Sequence, residues 1–217
     1  MKDLEHTKVR RLLTRLGIGL NVGIGVTSVG LWIIAYVSGL SWRADFTAFY
    51  TAAVMVVDGV RSQLYDFGLQ TTYQRSILEG RYLADGLMAF YYPPHVAVLL
   101  APLGFLSRRA AYWVWTAIQV VLMVVFILRL RRFARDQLWP RRKRWAMLSI
   151  VIALPAMMLT FLLGAFSLLM SLCMLECVIA FRNLEMKCAG VWLAIGIIKP
   201  QAILFAGLMF LASGSWL

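Results

Sequence analysis

An uninterrupted apolar run near the N terminus, residues 16–40, limits most strongly how this chain can fold. As a helix it is long enough to cross about 30 Å of hydrocarbon with some tilt. It follows a basic segment, residues 1–15, and it is too long for the core of a signal peptide and has no small-residue cleavage site after it. We therefore predict a retained first membrane span with its N terminus in the cytoplasm.

The composition of the chain agrees with a membrane protein. Hydrophobic residues make up 61% of it and charged residues 15%, whereas soluble domains are roughly half apolar. The net charge is +12, but the basic residues lie beside apolar runs, where they mark cytoplasmic loops and contacts with anionic lipid. We predict an all-α, polytopic integral membrane helical bundle within a lipid bilayer. Nucleic acid is excluded as a partner, because no soluble domain is present to bind it.

The apolar and polar runs divide this single membrane domain, residues 1–217, into successive segments. The stretch 41–92 is predicted to be a long first extracytoplasmic loop that carries interfacial helices, since its apolar residues are interspersed with polar ones. The remaining segments are a re-entrant segment or span followed by a span (93–128), a basic cytoplasmic loop (129–144) and three further spans (145–211).

The basic loop and the N terminus make conflicting demands on the topology. Two full crossings between residues 92 and 128 would place the arginine-rich loop outside, against the positive-inside rule. Residues 93–106 are short for a span and typical of a re-entrant segment, so we predict that they enter the membrane and return. The alternative, a tilted full span with Arg108 and Arg109 inside, stays open.

Several polar residues interrupt the later apolar runs. Lys199, near the middle of an apolar helix, costs several kcal/mol unless it is paired or faces water, which makes it a functional candidate; the alternative is snorkelling to a membrane surface. Pro200 weakens the helix, which is tolerated where backbone lines a cavity. We expect Glu176 to pair with a neighbouring Arg or Lys, and Gln119 and Asn21 to form hydrogen bonds between helices.

The three cysteines lie in or beside apolar segments. Their odd number argues against a disulfide framework. Cys173 and Cys177 are four residues apart, but no His or carboxylate pattern completes a metal site with them. We predict that Cys173, Cys177 and Cys188 are small packing residues, and we predict no metal and no cofactor.

Acidic residues concentrate in the stretch 41–92. Asp45 follows directly after the first span and precedes the aromatic residues Phe46, Phe49 and Tyr50. In so apolar a chain, an acid at this place is the first candidate for chemistry, so we predict that Asp45 is the reactive centre of an integral-membrane transferase.

A series of short motifs resembles glycosyltransferase family 87, whose multi-spanning GT-C enzymes include the polyprenyl-phosphate-mannose-dependent mannosyltransferases of bacteria. The resemblance extends from Asp45 to Gln201 and corresponds to the N-terminal half of such enzymes. The motifs, in order, are Asp45-Phe46-x-x-Phe49-Tyr50, Ala52-Ala53, Gly59, Leu64-Tyr65-Asp66, Tyr91-Tyr92-Pro93-Pro94, Leu100-Ala101-Pro102-Leu103, a Gly-x-x-Ser break and Ile198-Lys199-Pro200-Gln201.

The resemblance implies a GT-C fold and a role for each matching residue. Asp45 would be the catalytic base of an inverting transfer, and Lys199 with Gln201 would bind the donor phosphate. Tyr50, Tyr92 and His95 would contact the substrate; a capping histidine at a helix start is the alternative for His95. The implied donor is a polyprenyl-phosphate-linked sugar and the implied acceptor a glycan or glycolipid, at the extracytoplasmic face of the bacterial plasma (inner) membrane.

The chain departs from the family pattern in two places. Family members often carry Gly-Gln where this chain has Gly164-Ala165, and they continue with further spans after the lysine-bearing helix, so we expect a truncated form. Two other functions stay open. One is an inactive remnant or assembly subunit. The other is a small-molecule transporter component that uses Lys199 and Glu176 as pathway charges, although no inverted repeat supports it.

Overall fold

The computed structural model describes residues 2–38, 45–79, 86–153, 155–201 and 204, and within these it contains helices and connecting turns but no strand. The all-α prediction is confirmed. The helices are α1 (Lys2–Val37), α2 (Asp45–Val57), α3 (Phe67–Ile77), α4 (Pro94–Gly104), α5 (Arg108–Asp136), α6 (Arg141–Ala153), α7 (Pro155–Leu163), α8 (Ser167–Arg182) and α9 (Met186–Gly196), with a 3-10 turn at Arg61–Gln63.

Two of the described helices are long and apolar enough to cross a membrane, at Arg15–Val37 and Arg108–Asp136. The predicted span after the basic loop is divided into α6 and α7, and α7 begins at Pro155, whose ring removes an amide donor from the helix. The 11 residues of α4 give a length of about 16 Å at 1.5 Å per residue, about half the hydrocarbon thickness. The number of crossings beyond these two helices stays a prediction.

Aromatic contacts fix the relative direction of α1 and α5. The ring of Tyr36, near the end of α1, stacks on Tyr112, near the start of α5, with 5.7 Å between centroids. Trp32 meets Trp113 edge-on at 6.2 Å. The end of α1 therefore lies beside the start of α5, and the two helices line one cavity further along their lengths, so they run antiparallel. We call the end where they meet α2 the α2 end of the bundle, and the end formed by residues 129–144 the arginine end.

α2 is the central helix of the α2 end, and it packs against α3, α4 and α5. We predicted an interfacial helix with one apolar side, but α2 is buried around its circumference: Phe46, Ala52 and Ala53 are each 0% exposed. The reason is close approach, since a Cβ on Gly104 of α4 would lie 2.8 Å from the Ala53 carbonyl oxygen. The buried Thr51 hydroxyl donates to a carbonyl of its own helix, so its burial leaves no donor unsatisfied.

Two buried glutamines on α3 hold the chain that leads into α4. Gln70 donates to the carbonyl of Leu64 (2.7 Å) and accepts from the amide of Phe90 (2.9 Å). Gln74 donates to the carbonyl of Met88 (2.7 Å) and accepts from its amide (3.2 Å). We call Gln70 and Gln74 the glutamine clamp. These two glutamines therefore face inward, whereas Thr72, Arg75 and Ser76 of the same helix are exposed.

Two of the predicted polar contacts join helices, whereas Gln119 of α5 bonds to the turn between α7 and α8 and not to another helix. Arg129 of α5 forms a two-pronged ion pair with Glu176 of α8. The side-chain amide of Gln119 donates to the Ala165 carbonyl at 3.0 Å. Asn21 of α1 donates to a serine of α6 at 3.2 Å.

The cysteines are free thiols. Cys173 and Cys177 are buried in α8, which confirms that they are packing residues. Cys188 is also free but exposed, so the packing prediction is wrong for it. Its place in the first turn of α9 turns its side chain outward from the cluster around Cys177 and Ala189.

Candidate active site at the α2 end

Asp45 is the first residue of α2, where the helix dipole favours a negative charge. Its side chain keeps access to the surface, but the surrounding protein removes part of its hydration, and this burial raises the pKa of Asp45 above 3.8. Lys199 acts in the opposite direction and lowers the pKa by Coulomb attraction. The carboxylate therefore lies within electrostatic reach of Lys199.

Lys199 lies in a turn after α9. We predicted a position near the middle of an apolar helix, but α9 ends at Gly196, and the Lys199 amide donates to the Gly196 carbonyl at 2.9 Å. The physical reason is Pro200, because a residue that precedes proline is disfavoured in the α conformation. The neighbouring Ile198 is buried in the same cluster as Phe46, which brings the lysine to the start of α2.

Tyr92 adds an uncharged polar group at this end. Its ring contacts Phe49 (4.9 Å between centroids), Phe166 (5.6 Å) and Phe90 (5.8 Å). Burial and the nearby negative charge of Asp45 raise the pKa of Tyr92 to about 12. The phenol therefore stays protonated at neutral pH, where it is a hydrogen-bond donor close to the carboxylate.

Tyr50 and His95 occupy different environments. Tyr50 is 7% exposed, and its hydroxyl donates to the Leu106 carbonyl at 2.7 Å, so it ties α2 to the end of α4. His95 is exposed on the first turn of α4. The N-cap of that helix is Pro93 and no side chain caps it, so the structure gives no support to the capping alternative for His95. Gln201 is exposed beyond Pro200.

The turn between α7 and α8 packs against α2 and α5, a contact that the sequence did not predict. Gly164 has φ +71°, and a Cβ on it would lie 2.6 Å from the Cβ of Phe46. Its carbonyl accepts from the indole N–H of Trp115 at 2.7 Å. Phe166 then packs on Phe49 with 4.8 Å between centroids. The available signal was the Gly-x-x-Ser break, which we interpreted as a small polar interruption of two spans.

The structure thus brings together Asp45, Lys199 and Tyr92 beside a buried aromatic cluster. It places Tyr50 beneath them and His95 and Gln201 on the surface. A carboxylate, an ammonium group and a neutral phenol near one another can accept a proton, hold an anion and donate a hydrogen bond.

Comparison with known families gives one match. The model of glycosyltransferase family 87 matches residues 90–217, which is more than half of the chain. Among the predicted site residues the matched region includes Tyr92, His95, Lys199 and Gln201 and leaves out Asp45 and Tyr50. No curated protein and no solved structure gives a significant match.

Proposed function

Because the chain belongs to glycosyltransferase family 87, and is therefore a membrane glycosyltransferase, we propose that it transfers mannose from a polyprenyl-phosphate donor to a hydroxyl of a glycan or glycolipid acceptor. The transfer inverts the anomeric configuration and takes place at the extracytoplasmic face of a bacterial plasma membrane. The observation that carries this proposal is the proximity of Asp45 and Lys199, which come from distant parts of the chain.

Asp45 is the base in this proposal. Its carboxylate takes the proton of the acceptor hydroxyl while that oxygen attacks the anomeric carbon from the side opposite the phosphate. A carboxylate of raised pKa holds the proton more tightly than a fully hydrated aspartate does, and general-base catalysis gains from a pKa closer to the working pH.

Lys199 stabilises the leaving group. As the bond from the anomeric carbon to the phosphate oxygen breaks, its electron pair stays on the phosphate, and the ammonium of Lys199 with the amide of Gln201 compensates the developing charge. A phosphate beside Lys199 also weakens the attraction that lowers the pKa of Asp45. Donor binding would thereby strengthen the base before the acceptor reacts.

The remaining residues shape the sugar pocket. Tyr92 offers a neutral phenol donor and an aromatic face for the sugar ring, and His95 offers an exposed imidazole at the adjacent turn. Tyr50 positions α2 through its hydrogen bond to Leu106 and is assigned no direct contact with the sugar. Because residues 90–201 provide all but α2, the site depends on how α2 packs against them.

The topology of the proposal places the α2 end outside the cell. The basic N terminus holds the start of α1 in the cytoplasm. The antiparallel arrangement of α1 and α5 then puts the arginine end on the cytoplasmic side as well. The short α4 packs on α2 and, in this proposal, enters the membrane from outside and returns.

The transporter alternative loses one of its two motivating charges. Glu176 is engaged by Arg129, so this carboxylate has a local partner and is not needed to line a conduction path.

The discriminating experiment measures transfer of radiolabelled mannose from polyprenyl-phosphate-mannose in membranes that contain the chain. We expect Asp45→Asn to lower the rate about 10²- to 10⁴-fold, as for loss of a general base. Asp136→Asn, an exposed acid at the arginine end, is the matched control and should leave the rate unchanged. No transfer by the wild type would defeat the stand-alone enzyme, and equal rates for wild type and Asp45→Asn would remove Asp45 from the base role.

Single cysteines test the topology separately, in a variant that lacks the three native cysteines. Gln63→Cys, in the exposed turn after α2, should react with a membrane-impermeant thiol reagent in intact cells. Gln137→Cys, at the end of α5, should react only after the membrane is opened. Rapid labelling of Gln137→Cys in intact cells would reverse the proposed orientation.

A further inference from the structure

A second cavity lies at the arginine end, between the last turns of α5 and the start of α6. Its volume is about 430 Å³. Along α5 it is roughly 29 Å from Tyr112, at 1.5 Å per residue, so it is separate from the site at Asp45. Its basic lining consists of Arg131, Arg132, Arg135, Arg141 and Arg144. We call these five residues the arginine cavity.

The described residues that line the cavity carry positive charge and no negative charge. Arginine stays protonated in proteins, and Arg131 and Arg135 are four residues apart on one helix, a spacing at which like charges repel. Among the described residues, the carboxylate that approaches the group is Asp136, 3.9 Å from Arg135, and it does not line the cavity. A bound anion would therefore reduce the repulsion among these described arginines.

The rest of the lining is apolar. Leu148 is 4% exposed at the bottom of the cavity, whereas Leu128 and Trp145 are more than half exposed at its side. The guanidinium of Arg131 lies over the Trp145 ring at 5.5 Å, a cation–π contact that gives the arginine a fixed direction. A small soluble anion would use only the arginines. The adjoining leucines fit a ligand whose phosphate continues into a hydrocarbon chain.

We propose that the arginine cavity binds the phosphate of an anionic phospholipid of the inner leaflet, with the first part of an acyl chain against Leu128 and Leu148. Guanidinium groups pair with phosphate oxygens in a two-pronged geometry. The position matches this source, because the cavity lies at the end of a candidate membrane span, where basic pockets between helices meet lipid headgroups. The bound lipid also links α5 to α6.

Paired variants distinguish a defined site from general attraction. Native mass spectrometry of the purified full chain would count bound dioleoyl phosphatidylglycerol as it is titrated. Arg141→Gln with Arg144→Gln removes two cavity residues, whereas Arg142→Gln with Lys143→Gln removes the same charge from the same run but from residues that do not line the cavity.

We expect one saturable lipid on the wild type, bound about tenfold or more weakly by the cavity variant than by the control variant. Equal weakening in both double variants would overturn the proposal, because it would show diffuse attraction without a site. Absence of saturable binding to the wild type would overturn it as well.

Competition experiments identify the kind of molecule that carries the bound phosphate. Dioleoyl phosphatidylcholine, inorganic phosphate and glycerol 3-phosphate should displace phosphatidylglycerol only at much higher concentration. Equal competition by glycerol 3-phosphate would assign the cavity to a soluble anion and overturn the lipid assignment. A photoreactive phosphatidylglycerol on the wild type makes the test independent of variant folding: its adducts should map to residues 128–148, and adducts confined to other segments would contradict the proposal.

Discussion

At the α2 end, Asp45 lies within electrostatic reach of Lys199 and beside tightly packed aromatic rings. At the arginine end, the arginine cavity gathers charge of one sign in an open cleft. The same helix, α5, connects the two. The difference teaches that the first end holds charges of both signs among packed side chains, whereas the described residues that line the second carry charge of one sign.

The largest effect on stability is expected at Gly164, where a substitution tests how closely the α2 end is packed. Gly164→Ala puts a Cβ 2.6 Å from Phe46 at a φ of +71°, so we expect a loss of about 2–5 kcal/mol from overpacking and backbone strain together. Thermal unfolding and mannose transfer would both report it. Gly190→Ala, which meets nothing within 4 Å, is the control; equal stability of both variants would contradict a closely packed α2 end.

The glutamine clamp tests whether that end needs its polar supports. Gln70→Leu leaves the amide of Phe90 and the carbonyl of Leu64 without their partner, at a cost of about 2–4 kcal/mol for two buried groups. Mannose transfer should fall too, because Tyr92 follows the released segment. Chemical denaturation measures the first effect. Gln63→Leu, on an exposed turn, should change neither, and a Gln70 variant of wild-type stability would show that the clamp is dispensable.

The ion pair between α5 and α8 tests the half of the bundle nearer the arginine end. Glu176→Leu removes the buried partner of Arg129, but Arg129 is 37% exposed and can turn toward water. We therefore expect a loss of about 1–2 kcal/mol, less than for a fully buried pair. Chemical denaturation of Glu176→Leu measures this loss. Asp136→Asn, whose ion pair is exposed, is the control and should lose less. A loss as large as that of Gly164→Ala would show that both ends are equally rigid.

The smallest effect we expect is a shift in the pH dependence of transfer. In the proposed mechanism the base is the ionised form of Asp45, so the rate should fall as the pH drops through its pKa. Lys199 lowers that pKa, and Lys199→Gln removes this influence, so the acidic limb should move to higher pH in addition to any loss of donor binding. Lys199→Arg keeps the charge and should keep the limb in place. If the acidic limb of Lys199→Gln does not move, Lys199 does not influence the pKa of Asp45.

The sequence predicts the helical class, the long apolar first helix and the interhelical partners of Glu176 and Asn21, because hydrophobic runs and the cost of lone polar groups in lipid are local properties. It does not predict the burial of α2. That helix is enclosed because alanines and Gly104 allow neighbouring helices to approach closely, and such fit depends on residues that are distant in the chain.

The candidate site likewise contains residues that the sequence predicted and residues that it did not. Asp45, Tyr92 and Lys199 were predicted from motif order, and the structure places them near one another. The packing of the turn at Gly164 and the glutamine clamp were not predicted, because a positive φ and an inward-facing glutamine leave no periodic pattern in the sequence. Tyr50 shows the reverse case: its motif suggested substrate contact, whereas its hydrogen bond to Leu106 gives it a supporting place.

The ion pair of Arg129 and Glu176 also bears on how the chain is assembled in the membrane. Under the proposed topology, Glu176 must enter the bilayer with α8, and a lone carboxylate there is costly. Synthesis proceeds from the N terminus, so α5 and its arginine are made before α8 emerges. Because α5 precedes α8 along the chain, Arg129 is already present when Glu176 enters the bilayer. Helix α8 can therefore integrate by packing against α5.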